Sequence, residues 1–477
     1  MNVYPFPLLV ALVTALVTLP FYLELSWLIG VGLFALVYVA MDLERQMRTN
    51  PTALASLLFI TGCLQLILAP WLSQFYPYQD PASQIPASAI AGYMAYAVPL
   101  CLAMGLGLLA GRGFTPRGWR GGPAPLTVNL DPVTEGAVLR LFWATLGLMV
   151  VNPWLPLPGV LAFLVLLAGE IALVCPLLLL LGRRSYWWKL ALLPLGWKAM
   201  GAIGSTSFHS FMLWFLMYLM LFWSIRYRGR GFKYVLLGGL VFVFIFQPAK
   251  TYFREQGSSG VQGFASVLWS YVTHPARAYD QDVLAKTLMR LNQGWIVHRV
   301  MVWVPQSEPY AGWRMLARQA TGVLLPRFIL PDKYQVGGVE FFEQYTGHHL
   351  YGGTSMGLGY AGEFYAAFGG PGGVLAGFVY SLMLGLALER LRRAAYANPL
   401  WWAWGPFIFL VAIKTEDTVG NAVNWAVKAF VVVLLVRYAF ARLFRRRYQA
   451  RQGRALAGSP LSPPGIPPGA AARVPPR

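Results

Sequence analysis

The residues best equipped for chemistry lie in one stretch, 251–372. It holds nine cations, among them Arg254, Arg290, Arg314, Arg318, Arg327 and Lys333, and eight carboxylates, among them Asp280, Asp282, Glu340, Glu343 and Glu363. Guanidinium groups keep their charge in a low-dielectric setting and grip phosphate oxygens in pairs. A carboxylate or a histidine can take a proton from a hydroxyl. The constellation suits an anionic group handled beside an alcohol, yet each member also has a plainer use. Arg314 and Arg318 are four apart and share a face on a helix. They fit a phosphate clamp or a headgroup anchor equally. Arg254, Arg290, Arg327 and Lys333 serve as ligand contacts or as snorkelling side chains and loop salt bridges. Glu363 stands where the stretch returns to apolar sequence, and a carboxylate there is costly unless paired or used. Tyr365 beside it fits a sugar-stacking ring or an interfacial aromatic. Glu340 and Glu343 read as a solvated face.

Metal chemistry has a thin basis. Asp280-Gln281-Asp282 spaces two carboxylates as a divalent-ion site would, but His348 and His349 are adjacent and point apart on a helix or a strand. No third His or Cys ligand is near them. The expectation is no metal and no cofactor, with His348 as a hydrogen-bonding residue. Local periodicity gives the stretch surface helices: Leu284, Leu288, Leu291 and Trp295 recur at helical spacing. Arg290 and Arg299 fall half a turn out of phase unless Gly294 interrupts that helix.

The elements that must position these residues are apolar. The 477-residue chain is 57% hydrophobic and 12% charged, with a mean hydropathy of +0.53. Soluble chains carry about 25% charged residues, so this composition excludes an ordinary soluble enzyme. Three cysteines, all inside apolar stretches, imply no disulfide framework. Stretches able to cross a bilayer run approximately 3–19, 22–41, 52–74, 89–110, 136–152, 158–181, 187–203, 206–224, 234–251, 373–389, 399–414 and 420–440. The fold class expected is all-α: a polytopic membrane protein of about twelve spans with one large extracytoplasmic loop. Its parts are spans over 1–250, the loop 251–372, spans over 373–440, and a basic, then Pro/Gly/Ala-rich, tail 441–477.

The net charge of +20 follows the same topology. With both termini cytoplasmic, clusters at Arg45/Arg48, Arg112/Arg117/Arg120, Arg183/Arg184/Lys189, Arg226/Arg228/Arg230/Lys233, Arg390/Arg392/Arg393 and from Arg442 onward all face inside. Anionic membrane lipids, rather than nucleic acid, are their natural partner. Of the charges inside spans, Arg140, Glu170, Lys198 and Lys428, the second and third are expected to pair across neighbouring helices.

Taken in order, Leu325-Pro326-Arg327, Pro331-Asp332-Lys333, Gly353-Thr354-Ser355, Gly362-Glu363-Phe364-Tyr365 and Phe368-Gly369-Gly370 followed by a further span resemble the Wzy-like oligosaccharide repeat-unit polymerases. The resemblance covers roughly 290–385. Arg327 and Gly338 also fit one copy of that family's Arg-x10-Gly pattern. The resemblance implies a glycosyltransferase of the bacterial plasma membrane, with a GT-C-like architecture. Its substrates would be undecaprenyl-pyrophosphate-linked glycans, and flippase and chain-length regulator proteins its companions. It would place Glu363, Arg327 and Arg290 in catalysis and Arg254, Arg314, Arg318, Lys333, His348 and Tyr365 on the substrate. An O-antigen ligase-type transferase and a lipid-linked oligosaccharide flippase are the alternatives. Gly369-Gly370-Pro371-Gly372-Gly373 reads as a flexible turn into the next span.

Overall fold

The computed structural model describes residues 54–76, 83–113, 127–205, 209–227, 248–249, 252–253, 261–274, 280–324, 338–350 and 356–457. Among them every regular element is helical. In chain order these are α1 (Leu54–Leu72), α2 (Ile90–Gly113), α3 (Pro132–Val151), α4 (Gly159–Leu181), α5 (Trp187–Ser205) and α6 (His209–Tyr227). There follow α7 (Val261–Thr273), α8 (Gln281–Leu291), α9 (Gly294–Trp303), α10 (Gly312–Leu324) and α11 (Val339–Thr346). The last three are α12 (Gly359–Ala397), α13 (Trp401–Phe409) and α14 (Val419–Ala457).

Six of them are long and apolar enough to cross a membrane: α1, α2, α3, α4, α12 and the Val419–Phe440 part of α14. The chain is a helical membrane protein by this measure. The expected spans 3–19 and 22–41, and nearly all of 234–251, lie outside the described residues. Helices α5 and α6 occupy most of 187–203 and 206–224. Stretch 399–414 holds the nine-residue helix α13. The turns that follow lead to the polar run Lys414-Thr415-Glu416-Asp417-Thr418.

Stretch 373–389 sits inside the longer α12, which starts at Gly359. The glycine run within it is a kink rather than a flexible turn. Gly369 takes φ 70° and ψ −167°, a conformation glycine alone adopts freely. Helix resumes at once, with Pro371 in the first turn, where its missing N–H is harmless.

A row of small residues fixes α12 against α2. A Cβ on Gly107 would lie 2.5 Å from the Phe378 carbonyl, and one on Gly111 2.7 Å from the Leu386 nitrogen. From the other side, a Cβ on Gly385 would lie 2.8 Å from the Leu108 carbonyl. Gly377, Ser381 and Gly385 recur every four residues, as do Gly107 and Gly111, so the two helices approach closely along a seam of small residues. The Ser381 hydroxyl donates to the Gly377 carbonyl at 2.7 Å and lies against Gly107, where an added Cβ would meet it.

Helix α1 carries a π-turn at Leu64–Leu68, just before Pro70. A proline offers no N–H to the carbonyl four residues earlier, here that of Leu66. The Tyr93 hydroxyl of α2 donates to that oxygen at 2.6 Å. The neighbouring Gln65 carbonyl accepts from the Gln293 N–H at 3.1 Å. Gln293 lies at the break between α8 and α9, so the two helices are docked there on α1. Helices α9 and α11 share one core with α1, α2 and α12, built on Tyr93, Trp295, Val300, Phe342, Tyr360 and Phe364. The stretch 251–372 is in part packed into the helical body.

Elsewhere Glu170 of α4 is buried, paired to Lys198 of α5 and accepting from the Trp214 indole N–H of α6 at 2.9 Å. The expected ion pair is present, and Trp214 completes it. Lys428 stands over the Phe163 ring at 4.6 Å. From Val431 the chain forms a separate unit, and its described residues, to Ala457, are helical.

Candidate functional site around Glu363

Glu363 lies in the first half of α12, before the kink, and is 0% exposed. Three segments converge on it. Its Oε1 accepts from Gln319 Nε2 of α10 at 3.2 Å, and its Oε2 accepts from the Val419 N–H at 2.9 Å. Val419 opens α14, so the carboxylate meets the positive end of a helix, where free N–H groups point outward. Thr418 caps the same end, accepting from the Asn421 N–H at 3.1 Å. Among the described residues the partners of Glu363 are an amide and a backbone N–H, not a cation.

The polar turn 414–418 packs closely because two glycines leave room. A Cβ on Gly359, at φ 65°, would sit 2.7 Å from the Thr415 carbonyl, and one on Gly357 2.8 Å from that of Glu416. Asp417 is half-buried in this turn. Its Oδ1 accepts from the Thr418 N–H at 3.0 Å and the Asn421 amide at 2.9 Å. These residues were missed in the sequence, although a polar run between two apolar stretches was a visible signal. Gln319 was also legible: with Met315 it forms the buried side of α10, and a polar residue on an apolar face needs a partner.

Helix α10 also carries two of the expected arginines. Arg314 and Arg318 share its exposed face with Trp313 while Met315 and Gln319 are buried. Tyr365 packs edge-on to Tyr96 of α2 at 5.0 Å and lies 6.4 Å from Tyr310. His348 sits elsewhere, half-buried and edge-on to Trp295 at 5.9 Å and Phe342 at 6.5 Å. His349 turns to Glu343, with Nδ1 3.2 Å from Oε2. The other Glu343 oxygen accepts from the Leu350 N–H at 2.8 Å, so Glu343 ties down the 347–350 loop while Glu340 is exposed. That N–H, followed by His349, holds the Glu343 carboxyl below its ordinary range. Arg290 ends α8, which packs on the Ala69–Leu72 turn of α1. Arg254, Arg327 and Lys333 lie outside the described residues.

No family model matches the chain, and no curated protein or solved structure matches it. The site's own geometry carries the chemistry. A carboxylate with both oxygens engaged and no exposure reaches an incoming hydroxyl only if Gln319 moves aside. Asp417 has an Oδ2 without a partner among the described residues. No group of three or more His, Cys, Asp or Glu suited to a metal ion occurs among those residues. His298 of α9 is a further titratable group, held below its usual range by burial and then by Arg299.

Proposed function

We propose that the chain is a membrane glycosyltransferase that polymerises undecaprenyl-pyrophosphate-linked repeat units into a surface polysaccharide, on the outer face of a bacterial plasma membrane. In this reading it has about twelve spans, cytoplasmic termini and an outer segment over 251–372. One observation carries it. An amphipathic helix, α10, seats Gln319 on the buried Glu363 of a membrane-length helix and presents Trp313, Arg314 and Arg318 on its exposed face. Cations fixed beside a membrane-length helix suit a phosphate borne on a lipid.

The reaction joins an acceptor sugar hydroxyl to the anomeric carbon of the donor chain. The bond from that carbon to the pyrophosphate oxygen breaks, lipid pyrophosphate leaves with the electron pair, and the hydroxyl proton passes to a base. Arg314 and Arg318, with Arg254, Arg290, Arg327 and Lys333, supply the charge that steadies the departing pyrophosphate. Glu363 holds α10 and the start of α14 in place, and the partly accessible Asp417 is the better-placed base. The reading needs no metal or cofactor.

Purified protein given a lipid-pyrophosphate-linked repeat unit should build a ladder of products on a gel, with or without EDTA. D417N should slow it at least about 100-fold, the usual worth of a positioned general base. Lipid translocation in vesicles without any ladder would replace this reading with a transporter.

A further inference from the structure

At the kink of α12 four rings gather. Tyr310 lies across Gly369, whose added Cβ would meet the Tyr310 ring at 3.0 Å. Just after it the Ala311 N–H donates to the Ala366 carbonyl at 3.0 Å, in the helical turn that the kink opens. Trp313 packs against Phe368 at 4.9 Å with an interplanar angle of 62°. Tyr365 completes the group beside Tyr310. Trp313 remains 75% exposed and Tyr310 44%.

Two readings compete for such rings. An interfacial anchor needs only amphipathic rings at headgroup depth, and nothing about it calls for a fixed arrangement. These rings are fixed. The kink, the Ala311 bond and the buried underside of α10 set their positions, and Tyr310 and Tyr365 add phenol hydroxyls at their edges. Arg314 follows Trp313 directly, and Arg318 lies one turn further on the same exposed face. Apolar faces edged with hydroxyls match a pyranose ring, and the arginines match the phosphates of one ligand that carries both.

We propose that Tyr310, Trp313, Tyr365 and Phe368 form a pyranose-binding platform for the sugar next to the pyrophosphate of a lipid-linked glycan, with its phosphates against Arg314 and Arg318. The platform rests on the glycosyltransferase reading and gives it a specificity-determining surface. It makes sugar recognition separable from phosphate recognition.

The test compares affinities of the purified full chain for undecaprenyl pyrophosphate, bare and carrying one N-acetylhexosamine. Wild type should bind the glycosylated lipid about five- to tenfold more tightly, the worth of one good aromatic contact. W313L should lose that preference while still binding the bare lipid, and W313F, which keeps a ring, should retain most of it. R314Q with R318Q should weaken both lipids by the same factor. The platform is overturned if wild type shows no preference, if W313L weakens both lipids alike as an anchor would, or if it changes neither. A wild type that still builds a product ladder but shows no preference sinks the platform alone. A wild type that binds neither lipid sinks the glycosyltransferase reading as well.

Discussion

Removing the Glu363 carboxylate leaves two donors, the Val419 N–H and the Gln319 amide, without their acceptor inside the protein. Each such loss costs about 1–3 kcal/mol, so E363A should melt well below wild type in detergent. E363Q should not. Its amide oxygen still accepts from Val419, and Gln319 can rotate to present Oε1 to the new NH2 group. E363Q should therefore stay within about 1 kcal/mol of wild type and keep most of its turnover. A stable E363Q with no turnover would return Glu363 to the role of base. Glu343 offers a pH test. Its carboxyl is depressed by the Leu350 N–H and then by His349, so its contribution is complete at neutral pH. That contribution is lost only as pH falls through its lowered folded value. Hydrogen exchange at the Leu350 amide should remain slow through the ordinary carboxylate range and quicken below it. Protection lost at mildly acidic pH would contradict this. At this scale the sequence showed that a carboxylate at 363 needs a partner. It could not show which, because Gln319 and Val419 are 44 and 56 residues away.

Among the elements, the seam between α2 and α12 leaves least tolerance. A side chain on Gly111 or Gly385 would meet backbone atoms at 2.7–2.8 Å, which cannot swing away as a flexible side chain would. G385V should separate the helices and cost at least about 1–3 kcal/mol, read as a lower melting temperature and poor yield of folded protein. S381A, which removes a hydroxyl bonded only within its own helix and adds no bulk to the seam, should cost much less. A G385V protein that melts like wild type would mean the two helices do not meet here. The spacing of Gly107 and Gly111 and of Gly377, Ser381 and Gly385 was open to view. Which stripe meets which is a tertiary fact. The amphipathic face of α10 was legible because local periodicity acts within a few residues. The break expected at Gly294 falls at Asn292-Gln293, and Gly294 instead opens α9 and lets Pro70 and Tyr93 come close. The kink at Gly369 was not legible, since the same glycine run is compatible with a loose turn.

For the whole molecule, the proposed sidedness rests on the positive-inside pattern of its basic clusters, and labelling tests it. Cys101 and Cys175 are buried and Cys63 half-buried, so the chain offers a quiet background for labelling. A cysteine at Ala317, on the exposed side of α10, should react with a membrane-impermeant maleimide from outside intact cells. A cysteine at exposed Arg390, in a cluster that the proposed topology puts inside, should react only after the membrane is opened. Labelling of both from the same side would undo the topology and the outer placement of the site. The π-turn of α1 bears on a different matter, descent. Its Gln65 carbonyl grips the segment 251–372 through the Gln293 N–H, a bond between two main chains. Any residue but proline at 293 supplies that N–H, so the anchorage is indifferent to drift there. The exposed side chains of α10 can then be exchanged over generations without unmooring the segment that bears them, so a change in what that face contacts need not wait for a change of scaffold.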